Sequence, residues 1–245
     1  MLRALSLILL LLLWWIAAHF AATPTLPSPA QVFVAIAGEA RSGALFLHLG
    51  ATLARVTLAF AMAMSLGSVL GYLMGRVKQI DHFVDPLVII LLNLPALVVI
   101  VLAYVWAGLT EAAAIAAIAI TKLPTAVVTL REGARALDPA LDEMAQLFAM
   151  PRGLRFRHVI LPQLAPFLAA AARSGLSLVW KIVLVAELLG RPNGVGAQIG
   201  VAFQLFDMTL LFAYSLPFAL IVFILETLLV QPLEARSRRW RTHAA

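Results

Sequence analysis

Residues 138–162 read DPALDEMAQLFAMPRGLRFRHVILP, a polar-edged stretch set between two long apolar runs at about 111–131 and 164–190. Asp138-Pro139 is a helix start: an aspartate side chain accepts from orphan amides, and proline suits the first helical position. Asp142 and Glu143 fall in the opening turns, where negative charge complements the helix dipole. Leu141, Met144, Ala145 and Phe148 recur at i, i+3, i+4 and i+7 and form one apolar stripe. Met150, Pro151, Arg152 and Gly153 break that helix, a second short basic helix is expected over about 154–160, and Pro162 follows. Two readings fit these residues. The pair is an interfacial element with snorkelling arginines, or it is a docking element that lies in another protein's groove.

Outward from this stretch, the chain is almost all membrane. Of 245 residues, 63% are hydrophobic and only 12% charged, and the mean hydropathy is +0.99. Soluble domains carry about 25% charged residues, so a water-soluble enzyme is excluded. A helix needs roughly 20 apolar residues to cross a bilayer. Six runs qualify, near 4–22, 51–75, 86–107, 111–131, 164–190 and 210–232. Their continuity, without alternation, excludes a lipid-facing barrel. The fold class expected is an all-α polytopic membrane protein with six transmembrane helices. The first run, with Arg3 before it, has features of a signal peptide. Trp14 and Trp15 within it and the lack of an A-x-A site favour a retained N-terminal transmembrane helix over 1–22. A Pro-rich connector opens an external segment over 23–50, the core of five helices follows over 51–232 with a cytoplasmic loop over 132–163, and a basic tail occupies 233–245.

Orientation follows from the basic residues. With the N-terminus inside, twelve lysines and arginines fall in cytoplasmic segments (Arg3, Arg76, Lys78, Arg131, Arg135, Arg152, Arg155, Arg157, Arg236, Arg238, Arg239, Arg241) and two, Arg41 and Arg191, fall outside. Both termini are therefore expected in the cytoplasm. The net charge of +6 reports this bias and membrane-lipid anchoring, with no nucleic acid implied. There is no cysteine, and the five histidines have no metal-ligand spacing.

Polar residues inside spans are costly and mark candidate function. Asn93 and Pro95 sit mid-span in the third run and Lys122 in the fourth; Arg173, Ser174, Ser177, Trp180, Lys181 and Glu187 sit in the fifth. Ser174, Ser177 and Lys181 share one helical face, a possible wall of a water-filled path. Lys122 and Lys181 either meet an anion or pair within the bundle, Lys181 with Glu187 for example. Arg55 and Arg173, nearer span ends, are expected to snorkel. The excess of intramembrane cations tilts toward an anionic solute. Gly67, Gly71 and Gly75 recur every four residues and allow close helix packing, either within one subunit or at a dimer seam.

Glu143-Met144-Ala145, Ala149 and Val159-Ile160-Leu161-Pro162 resemble the EAA motif of ABC importer permeases, at the family's spacing. Met144 stands for an alanine and Ala149 for the glycine. Further pieces are similar, in order, to the nitrate/sulfonate/taurine class: His48-Leu49 with Thr52 to Val56, Asp85-Pro86-Leu87, Leu94-Pro95, Trp106 to Glu111, Glu132-Gly133, Trp180, Ala186-Glu187-Leu188 and Gly194-Val195-Gly196. The similarity covers about 48–235.

The resemblance implies a type I ABC importer (MetI-like) permease fold in a bacterial inner membrane. It implies a non-catalytic subunit, and the sequence agrees: no GxxxxGK[ST] is present. ATP and magnesium would be bound by a separate ATPase dimer, with no cofactor in this chain. A periplasmic solute-binding protein would deliver the solute, and a second permease copy would complete a homodimer. The ATPase-coupling residues would be Glu143, Met144, Ala145, Leu147, Ala149, Met150, Pro151, Arg152, Gly153, Leu161 and Pro162. The translocation path would draw on Asn93, Pro95, Lys122, Ser177, Trp180, Lys181 and Glu187. The external loop 191–209 would be an outer gate, or else a lipid-interface anchor. The rival to an importer is a self-contained secondary transporter or channel, which would use intramembrane carboxylates for coupling; few are present. A membrane scaffold and an intramembrane enzyme fit less well.

Overall fold

Pro29, Pro95, Pro139 and Pro151 stand at helix starts, while Pro86, Pro124, Pro166 and Pro217 lie inside helices. The computed structural model describes the backbone of residues 2–21 and 23–230 and the side chains of 8–21 and 23–228. The basic tail expected over 233–245 and the Arg3 side chain lie outside the described residues. Eleven α-helices run in the order α1 (Leu2–Ala21), α2 (Pro29–Arg41), α3 (Ala44–Arg76), α4 (Lys78–Asn93), α5 (Ala96–Ala107), α6 (Glu111–Arg135), α7 (Pro139–Leu147), α8 (Arg152–Arg155), α9 (Leu161–Gly190), α10 (Val195–Gln204) and α11 (Met208–Leu225). No strand occurs among the described residues.

Among the described residues, four helical stretches are long and apolar enough to cross a bilayer: Ala44–Arg76, Glu111–Arg135, Arg152–Gly190 and Met208–Leu228. The third expected span, 86–107, is not one straight helix. It is divided between α4 and α5, which meet at a bend of 103°. Leu94 and Pro95 are both extended, with ψ of 127° and 134°. Proline disfavours the helical region for the residue before it and donates no amide proton, so the ladder ends there. If the bent pair crosses as one span, the count is five. The first expected span appears as α1, whose described side chains give a shorter apolar stretch, Ile8–Ala21.

The segment expected to be a connector, 23–50, contains a helix. Ser28 caps α2, accepting from the Gln31 amide at 3.3 Å while the Gln31 side chain accepts from the Ser28 amide at 2.8 Å. Pro29 fills the first turn, so the Pro-rich run that stops α1 also starts α2.

The second short helix of the central loop is not separate. Four residues of α8 pass into a π-helical turn, Phe156–Ile160, and on into α9. Pro162 has no N–H to give the preceding turn, and a widened turn accommodates the missing bond.

By packing, the described residues form two compact units, one from 56–182 with 224–230, the other from 2–21, 23–55 and 183–223. In the first, α3 lies against α6 with almost no gap. A Cβ added at Gly67, Gly71 or Gly75 would collide with Ala126, with the Val127 carbonyl and Leu130, or with Ala134. The glycine row is thus internal packing, the first of the two readings. Leu130, Ala134, Ile160, Leu164 and Ala171 form a buried cluster from α6 to α9. Arg131 and Arg135 of α6 pair with Asp81 of α4, and Arg131 also with Asp85. In the second unit, Trp14 donates to the Pro27 carbonyl at 3.1 Å and packs on Phe212.

Candidate functional site: the loop helix and the buried charges

The loop helix α7 begins as its sequence predicts. Asp138 accepts from the Ala140 amide at 2.9 Å, and Pro139 occupies the first helical position. Its end is more informative. The Ala149 amide donates to the Gln146 carbonyl and the Met150 amide to the Ala145 carbonyl, both at 2.9 Å. This paired closure needs a left-handed residue after the helix. Ala149 takes that conformation, with φ +46°, at the position where the EAA pattern has glycine. The alanine therefore holds a backbone that glycine adopts freely.

Of the predicted stripe on α7 only Ala145 is buried, at 1% exposure. Leu141 and Met144 are partly exposed, and Leu147 and Phe148 stand out at 86% and 78%. Glu143, Pro151, Arg152, Gly153, Leu161 and Pro162 are exposed, and Met150 is half-buried. Apart from Ala145, the residues expected to couple are thus exposed or half-buried, an apolar and charged surface with a tight turn at its centre.

Polar ties hold this helix in place. Asp142 accepts from Arg155 Nε at 2.9 Å and Nη2 at 2.6 Å. Its other oxygen accepts from Arg76 Nη2 at 3.1 Å. Gln163 of α9 accepts from the Asp138 amide at 2.9 Å. The Arg155 guanidinium holds the Asp142 carboxyl below the usual carboxylate range, and Arg76 adds to this. These partners were not singled out from the sequence. Asp142 and Arg155 are only thirteen residues apart, but nothing in their spacing tells pairing from solvation. Arg76, sixty-six residues away, gives no local signal at all.

Within the first unit, Lys122 is fully buried. Its ammonium donates to Thr125 Oγ1 at 2.7 Å, and no carboxylate lies within ion-pair distance among the described residues. It packs over Gly175, where a Cβ would overlap the lysine chain. Asn93 donates to the Ile89 carbonyl at 2.8 Å and is exposed beside Pro95 at the break between α4 and α5. On α9, Ser174, Ser177 and Lys181 are exposed along one face, while Trp180 is buried.

The second unit corrects two expectations. Arg55 does not snorkel: it is 2% exposed and pairs with Glu187, itself fully buried, at 2.6 Å. Glu187 accordingly does not pair with Lys181. Arg55 also donates to the Asn193 carbonyl at 2.8 Å and to its side-chain oxygen. The second oxygen of Glu187 accepts from Thr52 Oγ1 and from the Gly196 amide, both at 2.9 Å. Thr52 accepts from the Val195 amide at 2.8 Å, and His48 Nδ1 accepts from the Gly194 amide at 3.0 Å. Gly194 has φ +115°, and a Cβ there or at Gly196 would strike Glu187. The driving force is satisfaction: a charge in a dry interior is tolerated only when paired and hydrogen-bonded. The knot fastens the turn after α9 to α3, and its parts lie more than 130 residues apart.

Comparison with known proteins agrees with this architecture. The family described as binding-protein-dependent transport system inner membrane component matches residues 63–239. An aliphatic sulfonates transport permease of Bacillus subtilis is 30% identical over 216 residues, covering 88% of this chain and 78% of that protein. A riboflavin transport system permease of Chloroflexus aurantiacus is 32% identical over 227 residues, covering 91% and 84%. The crystal structure of an amino acid ABC transporter superposes with a TM-score of 0.63 at 20% identity, covering 83% of this chain and 97% of that one.

Proposed function

This chain belongs to the binding-protein-dependent transport inner membrane component family, and from that premise we propose that it is the translocation subunit of an ATP-driven importer for a small anionic solute. As a family member it is a multi-pass inner-membrane permease subunit and not itself a catalyst. Its ATP and magnesium would be held by a partner ATPase dimer, its solute handed over by a periplasmic binding protein, and its second half supplied by another copy of the chain. The twelve-to-two distribution of basic residues supports a cytoplasmic position for both termini and for the loop.

The observation that carries the reading is α7. A short helix, capped at both ends and tied down by charges, presents Glu143, Leu147 and Phe148 outward on a rigid base. An apolar and acidic helix of this kind suits a groove on another protein. The test is co-purification of an ATPase with the full-length chain. Glu143→Lys should leave membrane insertion intact and abolish both ATPase recovery and ATP-driven uptake. Normal uptake by that variant would end the assignment, and the rival secondary transporter would show uptake with no ATPase at all.

The solute class rests on side chains, since relatives of one fold serve sulfonates in one case and riboflavin in another. Arg55 is neutralised by Glu187, which turns attention to Lys122 and Lys181. Lys122, whose ammonium meets a neutral hydroxyl and no carboxylate among the described residues, is our candidate to meet the solute's charge, with Ser177, Lys181, Asn93 and Pro95 along the path. Trp180, which is buried, would shape its wall, whereas Glu187, also expected on the path, is held in the knot with Arg55. Uptake of ethanesulfonate, taurine and nitrate by Lys122→Ala checks this: unchanged uptake of all three removes Lys122 from the path.

A further inference from the structure

We propose that Asp142 is a positioning residue, the pin through which displacement of the loop helix reaches both α3 and α9. The proposal rests on the importer reading above.

Three observations carry it. First, α7 has little apolar purchase on the rest of its unit, because Ala145 is its one buried residue. Burial of a single alanine cannot transmit a pull, so the polar ties must. Second, the charged ties converge on one carboxylate, with one neutral tie beside them from the Asp138 amide to Gln163 of α9. One Asp142 oxygen accepts from two nitrogens of Arg155, and the other accepts from Arg76. Third, the two arginines stand where motion would matter. Arg76 is the last residue of α3. Arg155 ends α8, which continues through the π-helical turn into α9 as a single helical stretch, Arg152–Gly190. The neighbouring acid, Glu143, is exposed and makes no ion pair among the described residues. Successive positions on a helix point about 100° apart, so one carboxylate faces outward and the next inward.

The pin is charged and only partly exposed, and such pairs contribute little to stability. Breaking it should leave a folded, assembled complex that has lost its transmission. The depressed Asp142 carboxyl keeps the pin ionised throughout the neutral range.

The experiment uses the full-length permease with the ATPase that co-purifies with it, in proteoliposomes. The chain has no cysteine, so Ala170→Cys at an exposed position of α9 outside the path gives a single reporter. Its maleimide labelling rate is measured without nucleotide and with ATP plus vanadate. The reporter alone should change its rate about fivefold or more between the two states, the usual lower range of an allosteric coupling. Adding Asp142→Asn should remove that change while the ATPase still co-purifies and still hydrolyses ATP. The exchanged set D142R/R76D/R155D should restore it. The proposal is overturned if Asp142→Asn responds like its parent, if it sheds the ATPase, or if the exchanged set stays unresponsive. Failure of the ATPase to co-purify with the unsubstituted chain would instead strike the importer reading.

Discussion

The knot around Glu187 and the clasp around Asp142 use the same chemistry in opposite settings. Each joins arginine to a carboxylate and thereby fastens a short segment, a turn in one case and α7 in the other, to a long helix. In the knot, Arg55 and Glu187 are buried, and Glu187 is met by a guanidinium, a hydroxyl and a backbone amide. In the clasp, Asp142, Arg155 and Arg76 are 20%, 27% and 37% exposed. A buried pair cannot be opened without stranding a charge, whereas a partly wet pair exchanges its partner for water at little expense. The knot suits a part that must stay put, and the clasp suits a part that moves under load.

The sharpest way to break this contrast is to strand one charge of the knot. Arg55→Ala should destabilise the chain by about 3–5 kcal/mol, read as a fall in Tm in detergent. Replacing both partners, as Arg55→Met with Glu187→Leu, should recover much of that loss. If the single variant unfolds like the parent, the knot is no more rigid than the clasp.

Next in size is the contact that positions α3. Gly71→Ala forces a methyl against the Val127 carbonyl and Leu130, and overpacking of this kind costs about 1–3 kcal/mol. A Tm equal to the parent's would mean that α3 and α6 can part freely.

A smaller effect, of opposite sign, is expected at the end of α7. Ala149→Gly relieves a left-handed alanine and should stabilise the loop by about 0.5–1 kcal/mol, the left-handed penalty less glycine's extra chain entropy. Slower hydrogen exchange at the Ala149 and Met150 amides would report it. Unchanged exchange would show that the turn carries no strain.

Smallest is the clasp itself. Asp142→Asn should shift stability by about 0.2–1 kcal/mol. Its pH dependence has a definite sign. The folded carboxyl is depressed, so its contribution is complete above the ordinary carboxylate value of about 3.9 and fades only as pH falls through the lower folded value. Between pH 5 and 8 the difference in Tm between parent and variant should stay flat. A slope in that window would show that another group governs the clasp.

How much was legible beforehand varied with distance along the chain. Asp138 and Pro139 are local, and the structure follows them; the break expected over 150–153 falls earlier, between Leu147 and Arg152, because Pro151 caps the next helix and does not only end the last one. The glycine row told of close packing without naming the partner, α6. The third run looked continuous because apolar side chains span Leu94 and Pro95 without a gap; the bend comes from the backbone, which hydropathy does not register. Arg55 was read as snorkelling because an arginine near a span end has water within reach. Only the fold shows that Glu187 and Asn193 are nearer.

The sequence by itself determined that this chain crosses a membrane repeatedly as helices, where most of those helices begin, and which stretch turns between the fourth and fifth runs. Span length, capping and glycine spacing are properties of contiguous residues and act before any tertiary contact forms. The tertiary structure alone decided which charges meet, which glycines face a backbone and which acid of the Asp142-Glu143 pair turns inward. A buried charge takes its partner from whatever the fold brings across from it, and a linear chain holds no record of that distance.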